Sequence, residues 1–90
     1  MPQTELQALR DKVDMIDDEV VKLLAKRFEV TAEIGQLKVR KSLDPIDTNR
    51  EADQIRRYEQ LAAKNGLNPE VLVNVFRIVI DEVVRKHREI

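Results

Sequence analysis

The sequence predicts an all-α fold of three helices, on three observations. Apolar residues recur at steps of three and four through the first forty positions. Helix-breaking residues are sparse, two Gly and three Pro in 90 residues. Charged residues at 37% stand beside hydrophobic ones at 42%, the balance of long amphipathic helices and not of a disordered or collagen-like chain. Ninety residues are too few for two independent cores, so the chain reads as one domain over 1–90.

The first helix is read from about Thr4 to about Lys41. Its seam runs Leu6, Leu9, Val13, Ile16, Val20, Leu23, then Arg27, then Val30, Ile34 and Leu37, a heptad pattern sustained to the stop at Asp44-Pro45, since a residue before Pro is pushed out of the α region. Thr4 with Gln7 three residues on fits a capping box. Such a helix spans roughly 55 Å, whereas a compact chain of this length has a diameter of about 30 Å. The very long first helix therefore overshoots its own domain. A second copy of the chain is the simplest partner for the apolar stripe, which predicts an obligate homodimer.

After a loop from about Ser42 to Ile46, a second, shorter helix opens with Thr48 as N-cap and Glu51 at the third helical position, a second capping box, and continues through Ile55, Tyr58 and Ala62 to Gly66. Following a loop from Asn65 to Asn68, Asn68-Pro69 supplies a cap and a first-turn proline for the third helix. The Val/Ile richness from Val71 to Val84 has strand character, but the polar positions Asn74, Arg77, Asp81, Arg85 and Arg88 step by three or four. Helical period overrides strand propensity here.

Composition narrows the function. With 16 Lys+Arg against 17 Asp+Glu, the net charge of −1 argues against broad nucleic-acid or anionic-membrane binding, so any anion site must be local. No Cys and a single His leave no disulfide framework and no expected metal site. The start of the chain lacks a signal-peptide pattern and no stretch approaches a membrane span, so a cytoplasmic location is expected.

The residues that break the pattern carry the functional signal. Arg27 occupies a seam position with no acid at three or four residues either way, and Lys38, eleven residues on and about 20° off the same face, also lacks a local acid. A buried cation left unpaired costs several kcal/mol, so each needs a carboxylate from a partner helix or a ligand, or else snorkels to water. Gly35 between them is costly in a helix interior, and fits either a tight helix crossing or a close ligand. Arg10 lies ~25 Å from Arg27 along the helix and on another face, with an ion pair to Asp14 as its structural alternative. On the third helix Leu72, Phe76, Val79 or Ile80, and Val83 lead to His87 on the apolar face, where a structural role is the common one. Glu51 has its capping box as alternative. Residue by residue, the reading ends at a partly apolar cationic anion pocket with an acid and an imidazole nearby.

Taken together, Leu9-Arg10-Asp11-Lys12-Val13-Asp14-Met15-Ile16-Asp17, Ala25-Lys26-Arg27, Ile34-Gly35-Gln36-Leu37-Lys38, Pro45-Ile46-Asp47-Thr48-Asn49-Arg50-Glu51 and the helix from Phe76 to Val84 resemble the all-helical chorismate mutase family over nearly the whole chain. The resemblance implies an intertwined homodimer of three-helix chains and the Claisen rearrangement of chorismate to prephenate, on the shikimate route to Phe and Tyr. It implies no cofactor, since conformer selection and fixed electrostatics stabilise charge separating across the breaking C–O bond. By family position, Arg27 and Arg10 of the other chain would hold the two carboxylates of this dianion, in sites shared across the dimer. Lys38 would donate to a carboxylate and the ether oxygen, and Glu51 would accept from the ring hydroxyl. Asp47 would line the same end and Arg50 support the wall. His87 stands where many members have Gln, and Val83 where some have a small hydroxyl residue. A neutral imidazole can offer an N–H as Gln does, while Val83 leaves one carboxylate without a hydroxyl donor. The same fold serves isochorismate-pyruvate lyases, and a non-catalytic dimerisation module is the reading of another class.

Overall fold

The computed structural model describes residues 2–89, with side chains from residue 4 onward. It contains three helices and, among the described residues, no strand: α1 (Pro2–Arg40), α2 (Thr48–Lys64) and α3 (Pro69–Glu89). The chain divides into two compact units, the first ending at Thr31 and the second beginning at Ala32.

The first unit is the N-terminal part of α1. Thr4 lies inside this helix, so the capping box expected of Thr4 and Gln7 does not form; the Gln7 amide instead donates to Asp11 Oδ1 at 2.9 Å, one turn on. The seam residues Leu6, Leu9, Val13, Ile16, Val20 and Leu23 are between 47% and 63% exposed. Leu24, Arg27, Phe28 and Thr31 are half-buried, and none of the described residues of this unit is fully buried.

The second unit holds the end of α1 with α2 and α3. Tyr58 and Ala62 of α2 and Val79 and His87 of α3 form its buried core. The Tyr58 ring stacks on Phe76 at a centroid distance of 4.1 Å and 11° between planes, a pairing worth ~0.5–1.5 kcal/mol beyond its buried area. The polar set Asn74, Arg77, Asp81, Arg85 and Arg88 is exposed throughout, as helical periodicity demands.

Helix ends are set by specific hydrogen bonds. α1 and α2 both finish in paired reverse bonds: Leu43 N–H donates to Lys38 O at 2.8 Å and Ser42 N–H to Val39 O at 3.2 Å; Leu67 N–H donates to Ala62 O at 2.8 Å and Gly66 N–H to Ala63 O at 3.4 Å. Each closure needs a left-handed residue, Gly66 at φ 68 in one case and, at a steric cost, Ser42 at φ 55 in the other. Asn68 caps α3 as expected, its Oδ1 accepting Glu70 N–H at 3.0 Å. The cap of α2 differs from expectation. Asp47, extended at φ −123 and ψ 96, is the N-cap, and its carboxylate accepts Arg50 N–H at 2.9 Å. An ionised carboxylate satisfies the open amide and meets the positive end of the helix dipole, which the Thr48 hydroxyl cannot do as well. Thr48 becomes the first helical residue, and Glu51 moves one place beyond the capping-box position.

Candidate active site

The junction between α1 and α2 gathers most of the second unit's expected site residues. Lys38, half-buried in the last turn of α1, extends across the loop and donates from Nζ to Pro45 O at 3.1 Å. Asp44 Oδ1 accepts Ile46 N–H at 2.8 Å, closing a tight turn directly before the Asp47 cap. Asp47, Arg50 and Glu51 then follow on the first turn of α2.

The corrected cap changes the standing of Glu51. Its carboxylate takes no part in a capping box and, among the described residues, makes no hydrogen bond or ion pair, although the residue is half-buried. A carboxylate placed so is available as an acceptor for a ligand hydroxyl. Arg10 is similar in the first unit: it is exposed and, among the described residues, forms no ion pair, so its pairing with Asp14 is not realised. Arg27, on the same helix, is half-buried.

On α3, Val83 is half-buried and His87, one turn later, is buried at 8% exposure. They line the apolar face, as their spacing after Leu72, Phe76 and Val79 requires. Gly35 is also buried.

Glu51 and Ile46 line an open groove of about 600 Å³ with Asp81, Val84, Arg85 and Arg88 of α3, a volume within the range of small-molecule sites. Arg85 on its wall is already committed: it donates to Glu82 at 2.5 Å and to Glu89 at 2.6 Å, holding the Glu82 carboxyl below the usual carboxylate range chiefly through the hydrogen bond. Val83 and His87 lie roughly 130° around α3 from these groove residues. Glu51 thus reaches the groove, while the imidazole and Val83 belong to another face. Neither the Pro45 carbonyl nor the Asp44 turn figured in the expectations; Asp44-Pro45 was legible only as a helix stop. Among the described residues no group of His, Asp and Glu side chains is placed to hold a metal ion, and no helix is long and apolar enough to cross a membrane.

The chain is thus a small three-helix protein with a lysine anchored at a loop and acids at the start of the following helix. Residues 9–88 match the model of the chorismate mutase type II family, and the chain belongs to that family. It is 38% identical over 78 residues to a protein named T-protein from Enterobacter agglomerans, and 29% identical over 82 residues to a bifunctional chorismate mutase/prephenate dehydratase from Escherichia coli. These alignments cover 87% and 91% of the chain but 21% of each relative, so the chain spans about a fifth of their length. It is 29% identical over 83 residues to a 4-amino-4-deoxychorismate mutase from Streptomyces venezuelae, covering 92% of the chain and 81% of that relative.

Proposed function

We propose that the chain is a chorismate mutase acting as one domain over 1–90, converting chorismate to prephenate in the cytoplasm without a cofactor. The observation that carries this reading is the family match over 9–88, which spans Arg10, Arg27, Lys38, Asp47, Arg50, Glu51, Val83 and His87. Glu51, released from capping and without an internal partner, supports a role as acceptor for the ring hydroxyl. Arg27 and Arg10 of the other chain hold the two substrate carboxylates, and Lys38 donates to a carboxylate and to the ether oxygen where negative charge develops. His87 supplies the N–H donor that Gln supplies in many members. Asp47 and Arg50 shape the ring end, and Val83 contacts the ligand without a hydrogen bond.

The working form is an intertwined homodimer. α1 has 39 residues, a contour of about 58 Å, and its exposed seam from Leu6 to Leu23 forgoes a burial worth ~1.5–3 kcal/mol per side chain when complete. A second copy is the partner that such a face takes. Arg10 and Arg27, ~25 Å apart along one helix, then serve one substrate only when they come from different chains.

Incubation of the purified chain with chorismate, followed by loss of absorbance and product identification, tests the activity. Prephenate is expected. Pyruvate released from isochorismate would identify a lyase, and no turnover would leave a dimerisation module. The amino analogue named by the Streptomyces relative belongs in the same assay as a competing substrate. For the shared site, Arg10→Ala and Arg27→Ala chains are unfolded together and refolded. Random pairing gives about half heterodimers, each with one intact pocket, so roughly a quarter of wild-type activity returns. Confirmed heterodimers no more active than their parents would refute the sharing.

A further inference from the structure

We propose that Asp44 is a positioning residue for Lys38, acting through the peptide group between Pro45 and Ile46. The inference rests on the mutase reading, in which Lys38 touches the substrate, but it arises from the loop geometry. A lysine side chain carries a large rotamer entropy, and a half-buried one with no anchor samples many directions. Lys38 is anchored twice. Its carbonyl accepts Leu43 N–H at 2.8 Å, and its ammonium donates to Pro45 O at 3.1 Å. An ammonium has three protons to donate, so one bond to the loop leaves two for ligand oxygens.

The direction of the Pro45 carbonyl is what aims the lysine. That C=O and the Ile46 N–H belong to one planar trans peptide and point in opposite directions. Asp44 Oδ1 holds the N–H at 2.8 Å, and in doing so turns the C=O away from itself, toward Nζ. Pro45 contributes a fixed φ, which removes one of the rotations by which the plane could swing. Hydrogen bonds at both ends of one peptide polarise it, so the carboxylate on the N–H also strengthens the C=O as acceptor. Asp44 never needs to approach the substrate. Its oxygen fixes a peptide plane, and the plane holds the ammonium.

Geometry and charge are separated by the choice of substitution. Asp44→Asn keeps an oxygen at the same reach and no charge. Asp44→Glu keeps the charge on a longer arm that no longer closes the turn. Asp44→Ala removes both. Expected is a roughly 10-fold loss of kcat for D44A and D44E with little change in KM, D44N within about 2-fold of wild type, and all three folded by circular dichroism. In a Lys38→Ala background, D44A costs nothing further, because the residue it positions is gone. A merely structural aspartate would cost the same factor in both backgrounds.

A second readout does not depend on turnover. Labelling of Lys38 by an N-hydroxysuccinimide ester, followed by peptide mass spectrometry, is expected to rise several-fold in D44A and D44E and to stay at the wild-type level in D44N. Unchanged labelling, or an equal kinetic loss in the K38A background, overturns the proposal. If the wild type turns chorismate over, K38A lowers kcat/KM by at least ~10²-fold and D44A matches wild type, the positioning role fails and the mutase reading stands. If the wild type is inactive, the mutase reading fails and the labelling alone decides whether Asp44 holds Lys38.

Discussion

Ser42 ends α1 in the left-handed conformation at φ 55, where a Cβ crowds the following carbonyl. The conformation is imposed by the two reverse bonds from Ser42 and Leu43 to Val39 and Lys38. For a residue with a side chain this region costs ~1–2 kcal/mol, and glycine escapes the cost but loses more freedom on folding, by ~0.5–1 kcal/mol. The difference makes Ser42→Gly stabilising by about 0.5–1 kcal/mol. For a chain of this size that corresponds to a rise in Tm of roughly 2–8 °C. Gly66 provides the inverse experiment at the end of α2. It sits at φ 68, and a Cβ built there meets nothing within 4 Å, so Gly66→Ala probes backbone strain with no steric collision added. It is expected to destabilise by about 1 kcal/mol. Both melts are followed by circular dichroism at one chain concentration, since self-association makes a melting point depend on it. A Ser42→Gly protein that melts at or below the wild-type temperature would refute the strain argument, and a Gly66→Ala protein that melts normally would refute the motif at α2.

Arg27→Ala and Lys38→Ala should each retain helical circular dichroism while kcat/KM falls by at least ~10²–10³-fold, the loss of one preorganised donor; near-wild-type kinetics in either would return these cations to a structural role. Val83→Ser adds a hydroxyl donor and is expected to lower KM by roughly 2–10-fold with little change in kcat; a raised KM would remove Val83 from the ligand. His87→Gln should stay within about tenfold of wild type and His87→Ala fall well below it, and an unimpaired alanine variant would take the imidazole out of the mechanism. Glu82, its pKa lowered mainly by the hydrogen bond from Arg85, contributes stability that is present above the ordinary glutamate pKa and is lost as pH falls through its depressed one. The acid-side loss of Tm should therefore be shallower in Glu82→Gln, and the difference should shrink in 1 M salt because the pair is exposed.

Much of the second unit was legible from periodicity alone. Tyr58 and Ala62, then Val79 and His87, occupy the buried side that steps of three and four assign to them, and Asn74 through Arg88 face water. These positions are decided by burial, which a 3.6-residue repeat reports directly. The capping residues were less legible. Asp47 and Thr48 are both good caps and stand side by side, so the pattern alone allowed either register. The structure chooses Asp47, and that shift by one residue takes Glu51 out of a structural role and leaves its carboxylate open.

The candidate site was legible in residue type and hidden in its connections. A seam arginine, an unpaired lysine and a histidine on an apolar face are anomalies of burial and charge, and a sequence displays those. The bond from Lys38 to the Pro45 carbonyl is not an anomaly of any residue. It joins a side chain to a backbone oxygen seven positions away, and backbone groups are the same at every position, so no choice of amino acid announces the acceptor. What the sequence does carry is the pair of residues that orient that acceptor, Asp44 and Pro45, and both have an ordinary explanation as the end of a helix. The two functions draw on one geometry: the turn that stops α1 also presents a carbonyl back toward its last turn. On the proposed reading, Lys38 in the last turn of α1 is anchored by the stop itself, and the loop after it belongs with the candidate site.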